Sequence, residues 1–173
     1  MPPVKQRIFM EPLYTTQFAH TLDEHIKFNK AVLKSQKSFI VFYILFAVLS
    51  IGLGILSYNM VKNIIFSIFL ALLFFILLLI TFPSALKKSI KKAYYSNKTI
   101  DSEISDYKFY ETEFTETDSH GSVTFPYTDL SQIIETKTNF YLMISKQQGY
   151  LIKKENCSPE LIAFLSELKN KIH

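Results

Sequence analysis

Two stretches of this chain carry no charged side chain. Phe39–Tyr58 reads FIVFYILFAVLSIGLGILSY and Ile64–Phe82 reads IIFSIFLALLFFILLLITF. A helix rises about 1.5 Å per residue, so each run covers about 30 Å, the depth of a bilayer's hydrocarbon core. A chain of 173 residues leaves too little other sequence to bury two such helices in a soluble interior. Two membrane-spanning helices are therefore expected, over 39–58 and 64–82. Only Asn59–Asn63 lies between them, too short for a further element, which predicts an antiparallel hairpin with both flanks on one side. The start, MPPVKQRIF, lacks the apolar core of a cleaved leader, so the hairpin is expected to be retained. Neither run holds Asp, Glu, Lys, Arg or His, the groups that carriers and proton pumps place at depth, so a monomeric carrier is not expected.

Charge gives the hairpin a direction. Lys27, Lys30, Lys34 and Lys37 precede the first run, and Lys87, Lys88, Lys91, Lys92 and Lys98 follow the second, whereas the connecting loop has only Lys62. Basic flanks mark the cytoplasmic side, which predicts that both termini are cytoplasmic. After Pro83 the apolar positions Leu86, Ile90 and Ala93-Tyr94 share a face opposite Lys87, Lys88, Lys91 and Lys92. A basic interfacial helix over 83–100, lying against anionic headgroups, is expected there, with Pro83 opening it or kinking the second span. Ser50 with Gly54, and Ser67 with Ala71, are small pairs four residues apart. They are the expected contact between the two spans or between two copies of the chain.

The remainder is organised differently. Residues 1–38 are expected to hold a short edge strand around Ile8-Phe9-Met10, interrupted by Pro12, and then a helix. Thr21-Leu-Asp-Glu24 forms a capping box for that helix, and no Gly or Pro separates it from the first apolar run, so it is expected to run directly into the first span. From residue 101 the period changes to two. Short strands are expected around 105–109, 114–118, 122–125, 132–136, 140–145 and 150–153, with turns at 110–113, 119–121, 137–139 and 147–149. Ser158-Pro159-Glu160 then starts an amphipathic helix with Leu161, Phe164, Leu165, Leu168 and Ile172 on one face. Residues 101–173 thus read as a small antiparallel β domain closed by one helix, and the whole chain as a membrane α+β protein.

Candidate chemistry is sparse. Residues 101–173 hold 12 Asp+Glu against 7 Lys, net −5, while residues 1–100 hold 12 Lys+Arg against 3 Asp+Glu, net +9. The acidic domain is a poor surface for nucleic acid. Glu111, Glu113, Glu116 and Asp118 are the densest acids and read as a solvated sheet face. The four histidines lack zinc spacing, and no nucleophile elbow, phosphate loop or dinucleotide fingerprint occurs. No enzyme activity and no cofactor are expected. The single Cys157 sits before the last helix, where a thiolate can be stabilised, though a small residue at that position explains it more simply. In FPYTDLSQIIET, Pro126 is expected to end a strand, Asp129 to shape a turn, and Tyr127 and Leu130 to face the core.

Taken together, KFYETEF (108–114), VTFPYTDLSQIIETKTNFYLMIS (123–145) and YLIKK (150–154), placed after two closely spaced spans, resemble the YcxB-like family of bacterial membrane proteins. The resemblance extends over nearly the whole chain and implies a C-terminal domain of pleckstrin-homology (PH) type, with no catalytic residues to carry over. Tyr127 stands where that family's pattern implies tryptophan, and Ile152 near where it implies proline. Three roles are consistent with this layout. The first is a tethered module or scaffold that docks a protein or peptide. The second is a headgroup sensor using Lys137, Lys146, Lys153 and Lys154. The third is an immunity protein against a bacteriocin or membrane-acting toxin.

Overall fold

The computed structural model describes residues 11–36, 38–96 and 103–172. The expected strand at Ile8-Phe9-Met10 lies outside these residues. A strand does precede the helices, but it is β1, Tyr14–Ala19, beyond Pro12. It is followed by α1 (Leu22–Ser35), α2 (Ser38–Val61) and α3 (Ile64–Ser96). Six strands then follow: β2 (Ile104–Phe109), β3 (Glu113–Asp118), β4 (Gly121–Pro126), β5 (Gln132–Glu135), β6 (Asn139–Met143) and β7 (Gly149–Lys153). The last element is α4, Pro159–Lys171. The chain divides into two compact units, residues 1–24 with 99–173, and residues 25–98.

The first unit is assembled from both sides of the helical insertion. Its strands form two antiparallel sheets, β1-β2-β3-β4 and β5-β6-β7. Strand β1 pairs with β2 from Tyr14↔Phe109 to Ala19↔Ile104. The alternation in β2 turns Ser105, Tyr107 and Phe109 inward against Phe18 and Phe114, all nearly or wholly inaccessible. Phe114 is the centre of this packing: it stacks on Phe109 (6.0 Å), Phe125 (5.8 Å) and Tyr127 (6.2 Å) and meets the edge of Tyr150 (5.2 Å). Strand β6 is buried on both faces, as expected of the middle strand of a covered sheet. Ser158 caps α4 by accepting from Leu161 N at 3.2 Å, and Leu161 and Leu165 are wholly buried.

Asn139, expected in a turn, instead opens β6 and is inaccessible to solvent. Its Nδ2 donates to Glu24 Oε2 at 2.6 Å. Thr21 Oγ1 accepts from Glu24 N at 3.4 Å, as the capping box predicts, while the Glu24 carboxylate is engaged 115 residues along the chain.

The second unit contains two helices, Ile40–Val61 and Ile64–Ser96, long and apolar enough to cross a membrane. Their burial is inverted relative to a soluble core. Ser50, Ser57 and Ser67 are buried, while Ile65, Leu56 and Ile40 are 78%, 63% and 63% exposed. Gly54 explains the seam: a Cβ there would sit 3.2 Å from Ala71 Cβ and 3.6 Å from Ser67 O. The two small pairs therefore face each other, and Ser57 extends the row. At the other end, Phe82 packs on Phe42 and Phe46, each at 5.5 Å. The loop is only Lys62-Asn63. Lys62 takes a left-handed φ of 58° and bonds back to Tyr58 O at 2.8 Å, ending α2. Asn63 Oδ1 accepts from Phe66 N at 3.1 Å and starts α3.

Two helix boundaries differ from expectation. Helix α1 does not run on into α2: the Gln36 amide bonds Leu33 O and the Ser35 hydroxyl bonds Val32 O, tightening and closing its last turn. Of the two readings of Pro83, the opening of a separate basic helix is not the one seen: α3 continues through Pro83 to Ser96. Around that proline, hydroxyls of Thr81 and Ser84 bond Leu77 O and Ile80 O. The end of the 83–100 segment, beyond Ser96, lies outside the described residues.

Candidate functional site

Among the described residues, the β3–β4 hairpin and the unpaired side of β4 form an exposed polar feature of the first unit. Asp118 Oδ1 accepts from His120 N (2.8 Å) and Gly121 N (3.0 Å), making the tight turn. Gly121 has a φ of 150°, a region L side chains avoid. Strand β4 terminates its sheet and is exposed at Gly121, Ser122, Val123 and Pro126. It carries no charge, and its one proline is the last residue. The register pairs Asp118↔Gly121, Glu116↔Val123 and Phe114↔Phe125, and Tyr127 N continues the alternation by bonding Thr112 O. The backbone groups of Ser122 and Thr124 consequently point away from β3. The opposite terminal strand, β1, is covered: Asn156 Nδ2 donates to Gln17 O and Asn156 O accepts from Thr16 Oγ1, each at 2.8 Å.

Acidic groups lie at the β3–β4 turn and on the strands behind β4. Glu116 Oε1 accepts from Ser105 Oγ (2.8 Å) and Tyr107 OH (3.1 Å). Since the Ser105 proton goes to Glu116, its oxygen is left to accept from His20 Nε2 at 3.0 Å. Burial holds the Glu116 carboxyl above its ordinary pKa, against the lowering effect of its two hydroxyl donors. Burial likewise lowers His20 and raises Tyr107 well above the ordinary range. At the turn, Ser119 donates to Glu103, whose carboxylate lies 3.0 Å from His120 Nδ1. Glu103, Asp118 and His120 offer ligand atoms within 4.8 Å of one another, so a cation has donors there, although Ser119, His120 and two turn amides already occupy the same oxygens. A hollow of about 450 Å³ on the outer face of β1–β3 is polar and partly self-paired, with Gln17 Nε2 bonding Asp106 Oδ1 at 2.7 Å.

Glu116 gives a pH prediction. Its folded pKa is raised, so the native state holds a proton that the unfolded chain releases at lower pH. Its contribution to stability is present below the unfolded pKa and falls as pH climbs through the ordinary glutamate range toward the raised value. Glu116→Gln is expected to be at least as stable as the parent at pH 7 and to flatten that decline, in urea unfolding followed from pH 4 to 8. A variant that steepens the decline would contradict the burial argument.

The corner residues fall beside this edge. Pro126 ends β4, and Tyr127–Asp129 form a single 3-10 turn joining the two sheets. Tyr127 is buried and donates to Tyr110 O at 2.9 Å, Leu130 is buried, and Asp129 is exposed with Thr128 Oγ1 at 3.3 Å. Glu113, expected in a turn, begins β3, whereas Glu111 stays in the turn and is exposed. Lys87, Lys88, Lys91 and Lys92 are exposed on α3, with Lys91 over the Tyr95 ring. Of the lysines expected to form a headgroup rim, Lys153 pairs with Glu155, and Lys154 pairs with Glu135 at 2.7 Å over the Phe140 ring. The Cys157 thiol is pushed up by burial and bonds Lys153 O, which opposes a stabilised thiolate. His20 and Glu103 escaped the sequence reading, because only the β1–β2 pairing and the β3–β4 turn bring them to Ser105 and His120.

The first unit is thus a two-sheet, seven-strand domain closed by a C-terminal helix and interrupted after β1 by a helical hairpin. Residues 109–169 match the family model described as YcxB-like protein, so the resemblance to that family holds from the end of β2 into α4. No curated protein and no solved structure matches the chain.

Proposed function

We propose that this chain is a non-enzymatic membrane-anchored docking module. The α2–α3 hairpin spans the bacterial cytoplasmic membrane with both flanks cytoplasmic. The seven-strand unit is a PH-like domain that binds an extended peptide segment along β4. Exposed leucines and isoleucines around a seam of serines support the span, since lipid, unlike water, solvates such a surface. The lysine bias supports the orientation, and Lys87, Lys88, Lys91 and Lys92 each contribute about 1 kcal/mol against anionic headgroups.

The observation that carries the docking role is the edge of β4, which no strand among the described residues pairs with. Natural sheets protect an edge with lysine, proline, bulges or a covering loop. Here β1 is covered, while β4 presents outward backbone groups at Ser122 and Thr124 beside a half-exposed Val123. An added strand satisfies those groups, and the nearby Glu103, Glu116 and Asp118 favour Lys or Arg in the ligand. Thr124→Pro removes one outward amide and leaves the β3 ladder intact. Peptides selected from a random library on the detergent-solubilised full chain are expected to carry basic residues flanking a β-branched core. They should bind Thr124→Pro at least about tenfold more weakly than Thr124→Val, which loses the same 2.9 Å hydroxyl bond to Thr115 but keeps the outward amide. Equal binding to both proteins would remove β4 as the docking strand.

A further inference from the structure

We propose that the second unit holds one anionic phospholipid in a discrete site, a reading that rests on the membrane anchoring above and makes it specific. A cavity of about 250 Å³ lies between α1, the start of α2 and the part of α3 around Pro83. Its wall is almost wholly apolar, formed by Ile26 and Leu33 from α1 and by Phe82, Leu86 and Ile90 from α3. Three ammonium groups rim it. Lys30 and Lys34 are one turn apart on α1, and Lys87 stands on α3. All three are exposed, and among the described residues none pairs with a carboxylate.

Position and charge select the occupant. The charge-free run of α3 ends at Phe82 and the lysines begin at Lys87, so the cavity lies where hydrocarbon gives way to headgroups. An apolar slot with cations at its mouth matches a molecule with an acyl chain at one end and a phosphate at the other. Lys88, Lys91 and Lys92 lie outside the slot and supply only general surface attraction. The distinction between one bound lipid and a diffuse field is therefore written into which lysines line the cavity.

The test is native mass spectrometry of the full-length protein in mild detergent, titrated with phosphatidylglycerol or phosphatidylcholine. The expected result is one retained phosphatidylglycerol per chain and little phosphatidylcholine. The triple variant K30Q/K34Q/K87Q should bind roughly a hundredfold more weakly, whereas K88Q/K91Q/K92Q should bind nearly as the parent does. Leu86→Trp fills the slot with the lysines kept, and should also lose the retained lipid. Equal losses in the two triple variants, or retention of both lipids alike, would overturn the site. Alkaline extraction of membranes separates this from the anchoring itself: both triple variants should stay in the membrane fraction. Release of the parent protein into the soluble fraction would overturn anchoring and site together.

Discussion

A polypeptide covering only residues 99–173 is expected not to reach the native fold. Residues 11–24 joined to 99–173 by a short Gly/Ser linker should fold without the hairpin. The reason is β1. It contributes a six-pair ladder to β2, the wholly buried Phe18, and Thr16, whose hydroxyl bonds Asn156 O. Just beyond it, Glu24 meets the buried amide of Asn139. Truncating a buried phenylalanine typically costs about 3–5 kcal/mol, against a total stability of about 5–15 kcal/mol for a domain. Losing the whole strand also leaves Asn139 without its carboxylate partner and turns β2 into an apolar edge. Urea unfolding followed by far-UV circular dichroism should show a cooperative transition for the joined protein and none for the short one. A cooperative transition at the same midpoint in both would mean that β1 is dispensable.

That prediction depends on the feature hardest to read from sequence. The strands after residue 101 are legible because large aromatic residues alternate with Ser, Thr and Lys, as in Tyr107-Lys108-Phe109. In YTTQFA the inward positions are Tyr14, Thr16 and Phe18. Thr16 is buried because Asn156 satisfies its hydroxyl, so the hydropathy period nearly vanishes there, and the more apolar Ile8-Phe9-Met10 draws attention instead. Asn139 fails for the same reason. Asparagine next to Lys137 and Thr138 signals a turn, and only a carboxylate 115 residues earlier makes its burial tolerable. In the hairpin, small residues at fixed spacing mark a close-packing face but leave its partner open, the other span or a second copy; the fold sets Gly54 against Ala71 and Ser67. The polar border of β4 was not legible, because Glu103, Ser105, Glu116 and His120 converge through strand register, which a local pattern does not carry. For Pro83 the sequence leaves two readings open, a new helix or a kink in the second span, because the rules for proline in helices do not choose between them. In a helix of this apolarity, neighbouring Thr81 and Ser84 hydroxyls engage nearby carbonyls, and α3 continues.

Tyr127→Ala is expected to destabilise the first unit by about 3–5 kcal/mol, enough to unfold a domain of ordinary stability near body temperature. The ring is buried, stacks on Phe114 and meets the edge of Phe164 at 5.9 Å, so it joins the β4–β5 corner to both the aromatic core and α4. Burial also keeps its phenol well above the ordinary pKa. The hydroxyl therefore stays protonated through the range in which an ordinary tyrosine ionises and keeps donating to Tyr110 O. Tyr127→Phe keeps the packing and removes that donor, so its expected cost is only about 1–2 kcal/mol. Denaturant midpoints of the joined 11–24/99–173 protein and its two variants measure both effects. Comparison with Thr124→Pro then separates structure from recognition: Thr124→Pro should lose peptide while still folded, at the modest cost of its hydroxyl bond to Thr115, whereas Tyr127→Ala should lose peptide only as it unfolds. If Tyr127→Ala keeps its midpoint and still fails to bind, the corner itself touches the ligand, and the docking surface extends past the end of β4.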